Sequence, residues 1–99
     1  MRTVFVTYRG TASQRFDRAY YVNKHLPLAR EIGMPYGLIS IEAFFPAGKD
    51  SDIVAAGLIV YRDEQAEKEF FSSPRIGELV NDLANYTDLT PSQSLLTDL

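Results

Sequence analysis

His25 is the only histidine of this chain, so any acid/base chemistry carried by an imidazole near neutral pH falls to it. It closes an aromatic-rich helical pattern that begins at Phe16 and contains Tyr20 and Tyr21, and Pro27 follows two residues later. Tyr21 lies four residues before His25, so a helix places both on one face and sets an aromatic wall with a hydroxyl beside the imidazole. That is a small-molecule site in outline. A neutral imidazole acting as general base or acid has to come within about 3 Å of the substrate proton, in a pocket that excludes competing water. Two readings of His25 stand at this level: a catalytic or ligand-binding ring, and a helix-terminal ring that donates to a carbonyl and packs on Tyr21.

Adjacent helical residues point about 100° apart, so Tyr20 and Tyr21 cannot share one role. Spacing puts Tyr20 with Phe16 in the core. It puts Tyr21 with Asp17 and His25 on a neighbouring stripe suited to a cleft edge. Asp17 is two turns from His25, which leaves the imidazole without an assigned orienting carboxylate. One histidine, no cysteine and scattered carboxylates make no metal centre. A glycine-rich phosphate loop, a dinucleotide fingerprint and a strand-turn-helix elbow for a serine nucleophile are all lacking. The expectation is therefore chemistry without a metal or a cofactor.

The elements that must position these residues follow from periodicity. Thr3 to Tyr8 alternates Thr3, Phe5 and Thr7 against Val4, Val6 and Tyr8, the period of a strand. Thr11 and Ser13 are candidate caps of the first helix, Thr11 with Gln14 at capping-box spacing. The helix is expected to run to about His25 and to end or kink at Leu26, because Pro27 disfavours helical geometry there, with a further turn through Leu28 to Ile32. Gly37 to Phe45 and Ile53 to Tyr61 read as paired strands around the turn from Pro46 to Ser51. A helix over Asp63 to Phe71, with Ala66 and Phe70 at core spacing, precedes one capped by Ser73 with Pro74 at its first position and Ile76, Leu79, Val80 and Leu83 as its apolar stripe. Asn85 to Pro91 reads as a loop and Ser92 to Leu96 as a terminal strand. The order βαββαβ is that of the ferredoxin-like plait, an α+β fold with a four-stranded antiparallel sheet and two helices on one face.

Ninety-nine residues with 45% apolar content suit a single domain spanning 1–99 with its own core. The strand Ile53 to Tyr61 carries no charge on either face, which implies burial on both sides. The helices cover one face, and a second copy packing sheet against sheet is the simplest cover for the other. A homodimer is the expected assembly. The net charge of −3 argues against a nucleic-acid partner, and the longest apolar run is too short to span a membrane. No cysteine and no secretory leader pattern fit a cytoplasmic location. Charge is unevenly placed: six basic residues and one acid precede residue 31, against four basic residues and twelve acids after it. These cations either pair with acids of the second helical region or draw an anionic or phenolate-like substrate toward His25.

The chain resembles the EthD family. The resemblance rests on Tyr8 and Arg9 ending the first strand, Phe16 and Asp17, the Tyr20 and Tyr21 pair, His25-Leu26-Pro27-Leu28, and the closing stretch from Asn85 through Tyr86 to Leu89 before Pro91. It implies a dimeric α+β barrel whose sheets pack face to face, with a cleft between each sheet and its helices near the histidine. It also implies a cofactor-independent enzyme acting on a small hydrophobic or aromatic metabolite by proton transfer, in dehydration, decarboxylation, isomerisation or an oxidative degradation step. In that role His25 is catalytic and Tyr21, Tyr8 and Tyr86 bind substrate. The competing expectation is a non-catalytic dimeric protein that holds an apolar metabolite in the same cleft.

Overall fold

The computed structural model describes residues 1–97. Strand β1 (Arg2–Arg9) leads into a helical stretch made of α1 (Arg18–Tyr20), a π-helical turn (Tyr21–His25) and α2 (Leu26–Gly33). After a 3₁₀ turn (Met34–Tyr36) come strands β2 (Leu38–Phe44) and β3 (Ile53–Tyr61), helices α3 (Glu64–Phe71) and α4 (Ile76–Asp82), a second 3₁₀ turn (Leu83–Asn85) and strand β4 (Ser92–Leu96). The sheet runs β2-β3-β1-β4 with every neighbouring pair antiparallel, which is the ferredoxin-like α+β plait.

Three local boundaries differ from expectation, each for a backbone reason. The first helix starts at Asp17, whose carboxylate accepts from the Tyr20 N–H, and not at Thr11 or Ser13. The Thr11 and Gln14 pairing does form, with Gln14 Oε1 accepting from the Thr11 N–H at 2.7 Å, but it closes a turn ahead of the helix. Nor does the helix end at His25. Leu26 keeps helical geometry at φ −64°, ψ −41°, and its N–H reaches back five residues to the Tyr21 carbonyl. The wider π turn rearranges the backbone ladder just where Pro27 brings no N–H to it, so the stretch continues to Gly33. Ser73 likewise holds a turn, its Oγ accepting from the Arg75 N–H, and α4 begins only at Ile76.

Val4, Val6 and Tyr8 of β1, with Leu38 and Ile41 of β2 and Tyr61 of β3, are buried under Leu26, Ala29, Ile32, Ala66 and Phe70 of the helices. Burying a leucine as fully as Leu26 contributes roughly 2 kcal/mol. Gly37 carries the chain from the first helical stretch into β2 at φ +105°, where a side chain would also press on Ala66 and Arg62. The opposite sheet face carries Phe5 against Leu58, Thr3 against Val60 and Phe44 against Ala56. Phe44 and Leu96 are exposed, so that face is open in one chain and largely apolar, with Glu42 of β2 opposite Leu58 as its charge.

Candidate active site

The local fold puts the aromatic residues of three distant segments into one cluster. The loop after α4 is tied to the start of the first helix: the Asp17 N–H donates to the Tyr86 carbonyl, Thr87 Oγ1 donates to the Arg15 carbonyl, and Phe16 and Thr87 form a β-bridge. Tyr86 is thereby buried against the Phe16 ring at a centroid distance of 5.3 Å and the His25 ring at 4.6 Å. The Tyr21 and His25 rings stack at 5.8 Å and 19°, as their four-residue spacing led us to expect.

Spacing assigned the core position to Tyr20, but Tyr21 takes it while keeping its place on the His25 stripe. Tyr21 is the core ring, 2% exposed and packed edge-on against Tyr8 and Phe16. Tyr20 is half-buried, and its hydroxyl donates to Asp82 Oδ1 at 2.6 Å. The π turn lies between the Asp17 cap and α2, so a uniform 100° step does not describe which residue faces the sheet.

Asp82, at the end of α4, is the group the sequence did not reveal. Its Oδ1 also accepts from Asn85 Nδ2 at 2.9 Å, and its Oδ2 lies 3.0 Å from His25 Nδ1. Burial pushes this carboxylate toward the neutral form, but the donors from Tyr20, Asn85 and His25 outweigh it and hold its pKa below the ordinary value. An ionised Asp82 accepts at Oδ2, so Nδ1 carries the hydrogen and the lone pair of the neutral ring sits on Nε2; the tautomer follows from this network. Burial lowers the His25 pKa below its ordinary value despite the raising influence of Asp82, so the ring is neutral at pH 7. Among the described residues Nε2 has no hydrogen-bond partner, yet no fully enclosed polar atom is left unsatisfied. Nε2 therefore keeps accessible surface.

His25 also lines a cavity of about 240 Å³ between the sheet and the helices, bounded by His25, Tyr8 and Tyr21 at one end and by Ile59, Leu79 and Leu83 among its apolar walls. No Asp, Glu, Lys or Arg lines it, and Gln93 supplies a polar group from β4. A larger depression of about 610 Å³ over Arg2, Lys68 and Leu95 does not include His25, and its Arg2 and Glu67 already pair at 2.9 Å. The smaller cavity is thus the one that meets the imidazole. Tyr8 and Tyr21 stand on its wall as expected, whereas Tyr86 does not. Tyr86 is fully buried, with its hydroxyl 2.8 Å from that of Tyr8. Burial raises the pKa of all three phenols, which keeps them neutral and makes them donors, not bases. The Tyr21 hydroxyl comes so close to β3 that a Cβ on Gly57 would lie 2.7 Å from it.

Three of the six cations that precede residue 31 pair with carboxylates: Arg2 with Glu67, Arg9 with Asp52 and Arg15 with Asp88. Among the described residues no group of three His, Cys, Asp or Glu side chains is placed to hold a metal ion, and no helix is long and apolar enough to cross a membrane.

No protein-family model matches the chain, and no curated protein matches it in sequence. Solved structures do. An EthD-like protein from Ralstonia eutropha JMP134 is 25% identical and superposes with a TM-score of 0.83, over 96% of this chain and 88% of that one. An ethyl tert-butyl ether D family protein from Bacillus halodurans C-125 matches over the full length of both chains, with a TM-score of 0.73 and 16% identity. SnoaB, a cofactor-independent oxygenase from Streptomyces nogalater, has the same fold at a TM-score of 0.66 and 15% identity, over 99% of this chain and 93% of that one. With the plait, the helix motif and the match to the Ralstonia protein over 96% of this chain together, the chain is similar to EthD-like proteins, a likeness that supports membership of that family.

Proposed function

We propose that the chain is an enzyme of small-molecule metabolism that moves a proton at His25 without a cofactor. The observation that carries this reading is that Asp82 holds Nδ1 of an imidazole that lines an apolar cavity, which leaves Nε2 as the nitrogen able to meet a substrate. A neutral base with its orienting carboxylate out of the cavity suits abstraction of a weakly acidic proton next to a carbonyl or on a phenol. The proton passes from substrate carbon or oxygen to Nε2, and the imidazolium so formed is stabilised by the Asp82 carboxylate. The same proton then returns to a different atom of the substrate, giving isomerisation, or to a departing hydroxyl, giving loss of water. Tyr21 and Tyr8 present neutral hydroxyls beside the site, and the uncharged walls select an uncharged hydrophobic or aromatic substrate. Kinship with EthD-like proteins and with a fold that includes a cofactor-independent oxygenase supports small-molecule chemistry in this cleft.

The working unit in this reading is a homodimer. Phe5, Leu58, Val60 and Phe44 on the open sheet face supply an apolar surface that a second copy would cover. The deciding experiment compares wild type with His25→Ala on a panel of phenolic and polyketide-like substrates. Turnover by wild type that falls about 10²–10⁴-fold in the variant, with ligand affinity kept, is the expected result. Unchanged turnover removes His25 from the mechanism, and ligand binding with no turnover by wild type leaves a binding protein.

A further inference from the structure

A second cavity, of about 200 Å³, opens between the start of the first helix and the loop joining β2 to β3. It shares no lining residue with the His25 cavity. The Phe16 ring forms one of its walls and packs against Tyr8 and Tyr21, which front the other cavity, so an aromatic layer separates the two.

Each polar side chain on this wall has a donor to spare. Arg18 and Lys49 line it, and neither forms an ion pair among the described residues, whereas Arg2, Arg9, Arg15, Arg62 and Arg75 each hold a carboxylate. The Arg18 guanidinium stands 4.8 Å above the Phe45 ring, and a stacked guanidinium keeps its in-plane N–H groups free for an anion. Gln14 spends its oxygen on the Thr11 N–H, which leaves its amide N–H₂ to donate. Ser51 Oγ accepts from the Ile53 N–H at 3.1 Å and so has its O–H to give. No Asp or Glu lines the cavity. Two cations and two spare donors with no carboxylate beside them suit a negative charge.

Phe16, Pro46, Ile53 and Val54 make the remainder apolar, so the anion should carry a hydrophobic body. The volume lies below the roughly 300–1,000 Å³ of drug-sized sites, which limits that body to about the size of a single ring. We propose that this cavity is a binding site for a small carboxylate on an apolar or aromatic body, separate from the His25 cavity. The carboxylate meets Arg18 and Lys49 with Gln14 and Ser51, and the body lies on Phe16. This assignment does not depend on the reaction given to His25.

The test is a titration of the full chain with benzoate, benzamide and inorganic phosphate, followed by amide chemical shifts in ¹H–¹⁵N spectra. Benzoate is expected to shift Gln14 and Ser51 saturably, with benzamide and phosphate at least tenfold weaker. Arg18→Gln and Lys49→Gln should each weaken benzoate at least tenfold, and His25→Ala should leave it unchanged. Lys49 lies on a loop outside every helix and strand, so its variant tests the site even if loss of the Arg18 stack on Phe45 impairs folding. Shifts centred on His25 and Leu26, a response to benzamide equal to that to benzoate, equal competition by phosphate, absence of saturation, or a folded Lys49→Gln chain with unchanged affinity would each overturn the assignment.

Discussion

His25 Nδ1 and Asp82 Oδ2 lie 3.0 Å apart although 57 residues separate them in the chain, and both side chains are almost completely shielded from solvent. The pair fixes the imidazole from the side away from the cavity. Asp82 is itself fixed by Tyr20 and Asn85, so the orientation of the ring depends on four residues drawn from the first helix and the end of α4.

Asp82→Asn is therefore the most informative substitution at the site. Asp82 is the influence that raises the His25 pKa against burial, so its loss should move the imidazole titration still further below the ordinary 6.5. Ring-proton NMR across pH 4–8 reads this directly. On any substrate the wild type converts, turnover should drop by about 10²–10⁴-fold, as expected when the group that sets the tautomer is lost. An unchanged or raised His25 pKa in the variant would remove Asp82 from this role.

The same pKa direction makes stability depend on pH. The folded chain holds His25 neutral below the pH at which the unfolded chain takes up a proton, so the unfolded state binds more protons as pH falls through 6.5. Stability should decline from pH 6.5 downward until the folded-state pKa is reached, and be flat with respect to this group above 6.5. The lowered carboxylates Asp63, Glu78, Asp82 and Asp88 act in the same direction only at lower pH, as acid titrates them below their ordinary values. Urea unfolding at pH 7.5 and 5.5 should show a loss in wild type that is reduced in His25→Gln.

Gly57 is held to glycine by the Tyr21 hydroxyl and not by its backbone angles. Gly57→Ala brings a methyl group to 2.7 Å from that oxygen, at the end of a buried ring packed against Tyr8 and Phe16. The expected cost is about 1–3 kcal/mol in denaturant unfolding. In a Tyr21→Phe background the added cost should shrink, because the atom it strikes is gone; equal costs in both backgrounds would place the strain elsewhere.

Sedimentation of the chain at micromolar concentration should give twice its 11.2 kDa mass if the apolar sheet face pairs with a second copy. Leu58→Glu puts a charge at the centre of that face, opposite Phe5 and beside Glu42, and should yield monomers that keep the fold. A wild-type monomer would count against the dimer.

Alternation in Thr3 to Tyr8, the uncharged run of β3 and the spacing of Ala66 and Phe70 were enough to order the elements, because strand and helix periods are local properties of the chain. His25 and the stacking of Tyr21 upon it were legible for the same reason: four residues on one helix meet wherever the helix goes. The roles of Tyr20 and Tyr21 were not, since a π turn changes the angular step and only the packed helix shows which ring faces the sheet. Asp82 carried no signal at all. Its place beside the imidazole arises from the bridge of Phe16 with Thr87 and the burial of Tyr86, which bring the end of α4 against the first helix. Sequence determined which residue could carry the proton; tertiary packing decided which nitrogen is free, what holds the other and what space lies in front, because these are relations between atoms that only the folded chain brings together.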